Sequence, residues 1–110
     1  MSALDKMVVV VHRVCGHIGH AVPLDQRRLA EGQQRLLAAA GYHQWRVRVE
    51  PLTDEVLSRC LVICDTCRVD PSRGLLPGVI AARQADPDVA AAAAFGAEVH
   101  AALIEGGDSP

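Results

Sequence analysis

Aromatic residues are nearly missing from this chain of 110 residues, which holds one Trp, one Tyr and one Phe. That excludes a platform that binds single-stranded nucleic acid by stacking bases on rings, and it leaves the core to aliphatic side chains. An excess of positive charge is missing too. The formal net charge is −2, which argues against a nucleic-acid binder with a basic face. No apolar run approaches the roughly 18 residues of a membrane-spanning helix, so the chain is not expected to span a membrane. The N-terminus lacks the basic, apolar and small-residue regions of a signal peptide. The expectation is a cytoplasmic protein, in which the four cysteines are reduced and serve chemistry or burial. No internal repeat or linker divides the chain. A single domain is expected over 1–105, with 106–110, GGDSP, as a flexible tail.

What is present reads as alternating strands and helices. Met7 to Val14 is almost continuously apolar, the pattern of a strand buried on both faces. From Asp25 to Ala40 the spacing turns helical, with Leu29, Leu36, Leu37 and Ala40 on one face, Asp25 as N-cap and Gly41 as stop. Gly32 weakens the middle of that helix. Trp45 to Glu50 alternates as a second strand, and Thr53 caps a short helix, Asp54 to Arg59, with Leu52 and Leu57 placed as a hydrophobic staple. CLVIC, Cys60 to Cys64, reads as a third buried strand. The polar stretch to Gly74 reads as a loop. Leu75 to Ala82 has no clear period. Asp86-Pro87-Asp88 reads as a helix start, followed by one face of Ala92, Phe95, Val99 and Leu103.

Strands alternating with helices imply a parallel sheet with right-handed crossovers. Ligands in such sheets bind at the carboxyl ends of the strands. That layout brings the loop of RVCGHIGHAV, Arg13 to Val22, beside the loop that follows the third strand. Three chemistries suit such a mouth. Cys15, His17 or His20, Cys64 and Cys67 form a thiolate and imidazole set of the kind that zinc favours. The Cys64/Cys67 pair has redox spacing, but Pro71 postpones the helix whose N-terminus would activate it. Cys15, followed by glycines and a helix, makes an anion trap with a nucleophile. His12 reads as a satisfied core residue, and His43 and His100 as solvated. Arg68 and Arg73 read either as anion-holding groups or as plain surface charges.

The segments VVVVHRVCGHIG, RVRVEPLTDEVLSRCLVICDTCRVDPSRGLLP and FGAEVHAALIEG together resemble the small IIB components of the bacterial sugar phosphotransferase system, of the galactitol and ascorbate types. The resemblance implies a flavodoxin-like three-layer α/β/α fold with a four-stranded parallel sheet in the order 2-1-3-4, its fourth strand within Leu75 to Ala82. It implies a phosphocarrier that takes a phosphoryl group from a IIA phosphohistidine onto Cys15 and passes it to a sugar in a IIC membrane transporter. Cys15 is then the nucleophile, Gly16, His17, Ile18, Gly19 and His20 bind the phosphate, and no cofactor is needed. The chain departs from the family where Ser or Thr hydroxyls follow the glycines: it has His20, Ala21, Val22 and Pro23. The alternative on the same scaffold is a non-enzymatic metal-binding protein, for zinc or iron, or an interaction protein. It would use Cys15, His17, Cys64 and Cys67.

Overall fold

The structure, a computed structural model, describes residues 6–60 and 62–95. Three strands, β1 (Lys6–His12), β2 (Ile18–Pro23) and β3 (Trp45–Pro51), form one sheet in the order β2-β1-β3. A short 3-10 turn, Leu24–Gln26, leads from β2 into helix α1 (Arg27–Ala39), which returns the chain to β3. Helix α2 (Asp54–Arg59) follows β3. Beyond the loop over 60–70 come a 3-10 turn, Pro71–Leu75, and helix α3 (Pro77–Ala85). The backbone is helical again over 87–95, here called α4.

Both neighbours of β1 run antiparallel to it, which overturns the four-stranded parallel, flavodoxin-like sheet. The valine run marks β1 as central, and it is: Val8 and Val10 join Ala30, Leu37 and Trp45 on the α1 side, while Val9 and Val11 join Ile18 and Val56 on the α2 side. Each fully buried valine contributes roughly 1.5–3 kcal/mol of burial. Burial on both faces, however, says nothing about strand direction. Direction follows from the connections, and the loop 13–17 is too short for a parallel crossover, which takes a dozen or more residues. Two expected strands are absent from the sheet. In CLVIC, Cys60 closes α2, residues 62–64 pair with no strand, and Val62 and Ile63 are exposed. Leu75 to Ala82 is the end of a 3-10 turn followed by α3, with Pro77 at its first position, where a missing N–H costs no hydrogen bond.

β2 is the strand the pattern hides. Val10 pairs with His20 and Val11 with Ile18, so the register slips and Gly19 is the extra residue of a bulge. Ile18 and Ala21 pack on the α2 side and Val22 on the α1 side, and the inserted residue destroys the period of two that announces a strand.

Of the other local expectations, the N-cap at Asp25 fails, since Asp25 lies in the 3-10 turn and Gln26 precedes α1 without a side-chain cap bond, and the following hold. Thr53 accepts a hydrogen bond from the Val56 N–H at 3.2 Å and caps α2. The staple partners Leu52 and Leu57 are both about half exposed. Gly41, at φ 94, lets α1 end with the Tyr42 N–H on the Leu37 carbonyl and its own N–H on the Ala38 carbonyl. Gly32 has a packing role, because a Cβ there would lie 2.1 Å from the Asp88 carbonyl oxygen where α4 crosses α1. Asp86 accepts from the N–H groups of Asp88 and Val89 and so starts α4. Val99, Leu103, His100 and the tail lie outside the described residues.

Candidate metal centre

The hairpin loop and the loop after α2 meet beyond the end of β1. The hairpin closes with the His12 N–H on the His17 carbonyl at 2.9 Å and the Gly16 N–H on the His12 carbonyl at 2.8 Å. Gly16 has φ 78, and a Cβ there would touch nothing within 4 Å. Its glycine therefore serves conformation, not space. That left-handed residue lets Cys15 and His17, on either side of it, aim at one point. The guanidinium of Arg59 donates from Nε to the Gly16 carbonyl at 2.8 Å, and the carboxylates of Glu50 and Glu55 lie 3.8 and 3.9 Å from it.

On the other side, the Cys67 N–H donates to the Cys64 carbonyl at 3.2 Å, which closes a tight turn over CDTC. The turn sets the two sulfurs 3.7 Å apart and brings Cys67 Sγ to 3.4 Å from His17 Nδ1. The turn is anchored beyond its end. Tyr42 accepts the Asp70 N–H on its hydroxyl at 2.9 Å, and Arg73 stacks over the Tyr42 ring while donating to the Ala40 carbonyl at 3.1 Å.

The outcome is one cluster. The ligand atoms of Cys15, His17, Cys64 and Cys67 all lie within 4.8 Å of one another. Cys67 is buried, at 5% exposure, and the other three are half-buried. The amide N–H groups of Cys67 and Thr66 bring the Cys64 thiol down to about 6, and contacts with the Cys67 and Cys15 side chains add to this. Burial pushes the Cys67 thiol up. A cavity of about 260 Å³ borders the cluster at His17 and Cys67, with Trp45, Val62 and Ile63 among its walls.

The residues expected to bind phosphate divide at Ile18. Cys15, Gly16 and His17 are in the hairpin loop, whereas Ile18, Gly19 and His20 belong to β2. The Ile18 side chain is core, and the Trp45 ring lies 3.0 Å from where a Gly19 Cβ would be. His20 meets the Phe95 ring edge-on, its Nε2 is buried without a hydrogen-bond partner among the described residues, and burial lowers its pKa. His20 is therefore not the histidine of the cluster; His17 is. His12 is core as expected, edge-on to Trp45 with Nδ1 accepting from the Val14 N–H. His43 is exposed. Arg68 faces solvent and pairs loosely with Asp65. Arg73 instead ties the loop to the end of α1.

Arg59 and Tyr42 are the contributors that sequence reasoning passes over. Each acts across a long stretch of chain, and nothing local in the sequence marks such a contact. No helix among the described residues is long and apolar enough to cross a membrane. No family model matches the chain, and neither a curated protein nor a solved structure matches it.

Proposed function

We propose that the protein is a non-enzymatic metal-binding domain in which Cys15, His17, Cys64 and Cys67 hold one tetrahedral ion, with zinc as the best fit. The approach of all four ligand atoms to within 4.8 Å carries this reading. With Zn–S near 2.3 Å, neighbouring sulfurs of a tetrahedron lie about 3.8 Å apart, and a sulfur and a nitrogen somewhat closer. The separations of 3.7 Å for Cys64 to Cys67 and 3.4 Å for His17 to Cys67 match those edges. A cluster of several irons spreads its thiolates over different metal atoms and needs a wider mouth, so the compact set favours a single ion.

The donor chemistry agrees. Three thiolates and an imidazole are soft and borderline ligands that suit zinc over magnesium or calcium. The amides directed at the Cys64 sulfur stabilise the thiolate form that a metal requires. Four protein ligands complete a tetrahedron and leave no open position for substrate, the arrangement of a structural site. Held in this way, the ion joins the β1–β2 hairpin to the loop over 62–70, which has little regular structure of its own.

The phosphocarrier reading of Cys15 draws its anion site from a helix N-terminus behind the cysteine. In this fold a strand, β2, follows the loop instead, and α1 begins at Arg27. The metal reading needs no such helix.

Native mass spectrometry of protein purified without chelator tests the proposal. One zinc per chain is expected, lost in Cys64→Ala and in Cys67→Ala. A folded protein that takes up no zinc or iron when either is supplied would overturn it.

A further inference from the structure

The same turn carries a second chemistry. We propose that Cys64 and Cys67, in the metal-free protein, form a dithiol–disulfide couple that exchanges electrons with low-molecular-weight disulfides of the glutathione kind.

Two observations support the pair. The sulfurs stand 3.7 Å apart across a tight turn, so modest side-chain rotation brings them to the bond length of about 2.05 Å. The two are unequal in access, with Cys64 half-buried and Cys67 at 5% exposure. An accessible attacking sulfur and a sheltered resolving one are what thiol–disulfide exchange uses. A sulfur recessed between two loops is reached more readily by a small disulfide than by one fixed on a folded surface. The exposed Val62 and Ile63 beside it offer apolar contact.

The exchange balances as follows. Cys64, having released its proton to solvent, attacks one sulfur of the small disulfide; that S–S bond breaks and one small thiolate leaves. His17 Nδ1, 3.4 Å from Cys67 Sγ, accepts the Cys67 proton as that sulfur attacks Cys64. The Cys64–Cys67 bond forms, the mixed disulfide breaks, and the second small thiolate departs. The protein loses two electrons and two protons, and the small disulfide gains them as two thiols. Cys60 takes no part, because it packs on the α2 side of the sheet and its thiol meets the Val56 carbonyl.

The couple stands without the ion, but both states need the same two sulfurs, so they exclude one another where the metal reading holds. The test treats chelator-washed protein with oxidised glutathione and maps the disulfides by peptide mass after alkylation. A Cys64–Cys67 disulfide is expected, reversed by dithiothreitol and unchanged in Cys60→Ala. Cys67→Ser is expected to raise the glutathione captured on Cys64 about tenfold or more. A disulfide that joins Cys15 to either partner, glutathione retained on Cys67, or a folded wild-type protein that stays reduced would each overturn the couple. Disulfide mapping of the wild type decides the matter even if the variant does not fold. Zinc added beforehand is expected to slow oxidation about tenfold or more; equal rates with zinc bound would overturn the mutual exclusion. Failure of zinc to bind at all would overturn the metal reading and leave the couple intact.

Discussion

At the residue scale, Arg59 steadies the Cys/His cluster from outside the proposed ligand set. Arg59 holds the carbonyl of Gly16, the residue between two ligands, and its own charge is balanced by Glu50 and Glu55. A group that fixes a ligand loop from outside the coordination shell changes metal affinity without touching the metal, commonly by about ten- to a hundredfold. Arg59→Met keeps the length and the packing of the stem while removing the donor. It is expected to weaken zinc binding about tenfold in competition with a chromogenic chelator, and to leave the far-ultraviolet circular dichroism unchanged. An unchanged affinity would show that the hairpin holds its shape without that bond.

At the scale of elements, the contact between α1 and α4 is built around a missing side chain. Ala is a better helix former than Gly by about 1 kcal/mol, so propensity alone favours Gly32→Ala. The Asp88 carbonyl at 2.1 Å from the new Cβ opposes it. Backbone cannot move aside as a flexible side chain can, and overpacking of this kind costs about 1–3 kcal/mol. Gly32→Ala is therefore expected to lower the urea midpoint, and a rise would show that the helices separate at little cost.

The same crossing carries a pH signature. Asp86 is held below the ordinary carboxylate range first by its hydrogen bonds from Arg35, with the α4 amides of Asp88 and Val89 adding to them. A carboxyl with a depressed folded-state pKa contributes stability in full above its unfolded value, near 3.9, and loses it as the pH falls through the lower folded value. Asp86→Asn should lower the urea midpoint at neutral pH, and the gap from wild type should close in strong acid. A gap that persists there would assign the loss to packing instead of charge.

At the scale of the whole molecule, the three-stranded sheet with α1 on one face and α2 on the other forms the stable frame, and the Cys/His cluster lies where it meets a stretch with no ladder of its own. The loop over 62–70 exposes Val62, Ile63 and Val69 to solvent, and so contributes little burial to hold itself in place. Its order rests on the Cys67 side chain in the core, the Tyr42 and Arg73 anchor and, by the proposal above, the ion. Removal of zinc with a chelator is expected to raise amide exchange about tenfold or more across 62–70 and to leave the amides of β1 protected. Equal protection in both states would mean that the loop owes its order to the core alone.

Much of this was legible in the residues. Val8 to Val11 announced a strand covered on both sides, because only burial tolerates such a run. Thr53 and Gly41 marked helix ends through local chemistry, a hydroxyl over free N–H groups and a residue free to adopt positive φ. The three cysteines of the cluster were nameable from residue type and spacing, with His17 and His20 both offered as the fourth member. Strand direction was not legible, because burial is blind to it, and β2 was hidden by the bulge at Gly19. CLVIC shows the limit most plainly. Its apolar residues read as core, yet Ile63 is 73% exposed, because the chain leaves the sheet there to bring Cys64 and Cys67 to the hairpin. Residue type and local pattern act over a few positions, and these the sequence carries. Which histidine joins the cysteines, and which arginine steadies them, depends on contacts between segments far apart in the chain, which exist only once the fold has closed.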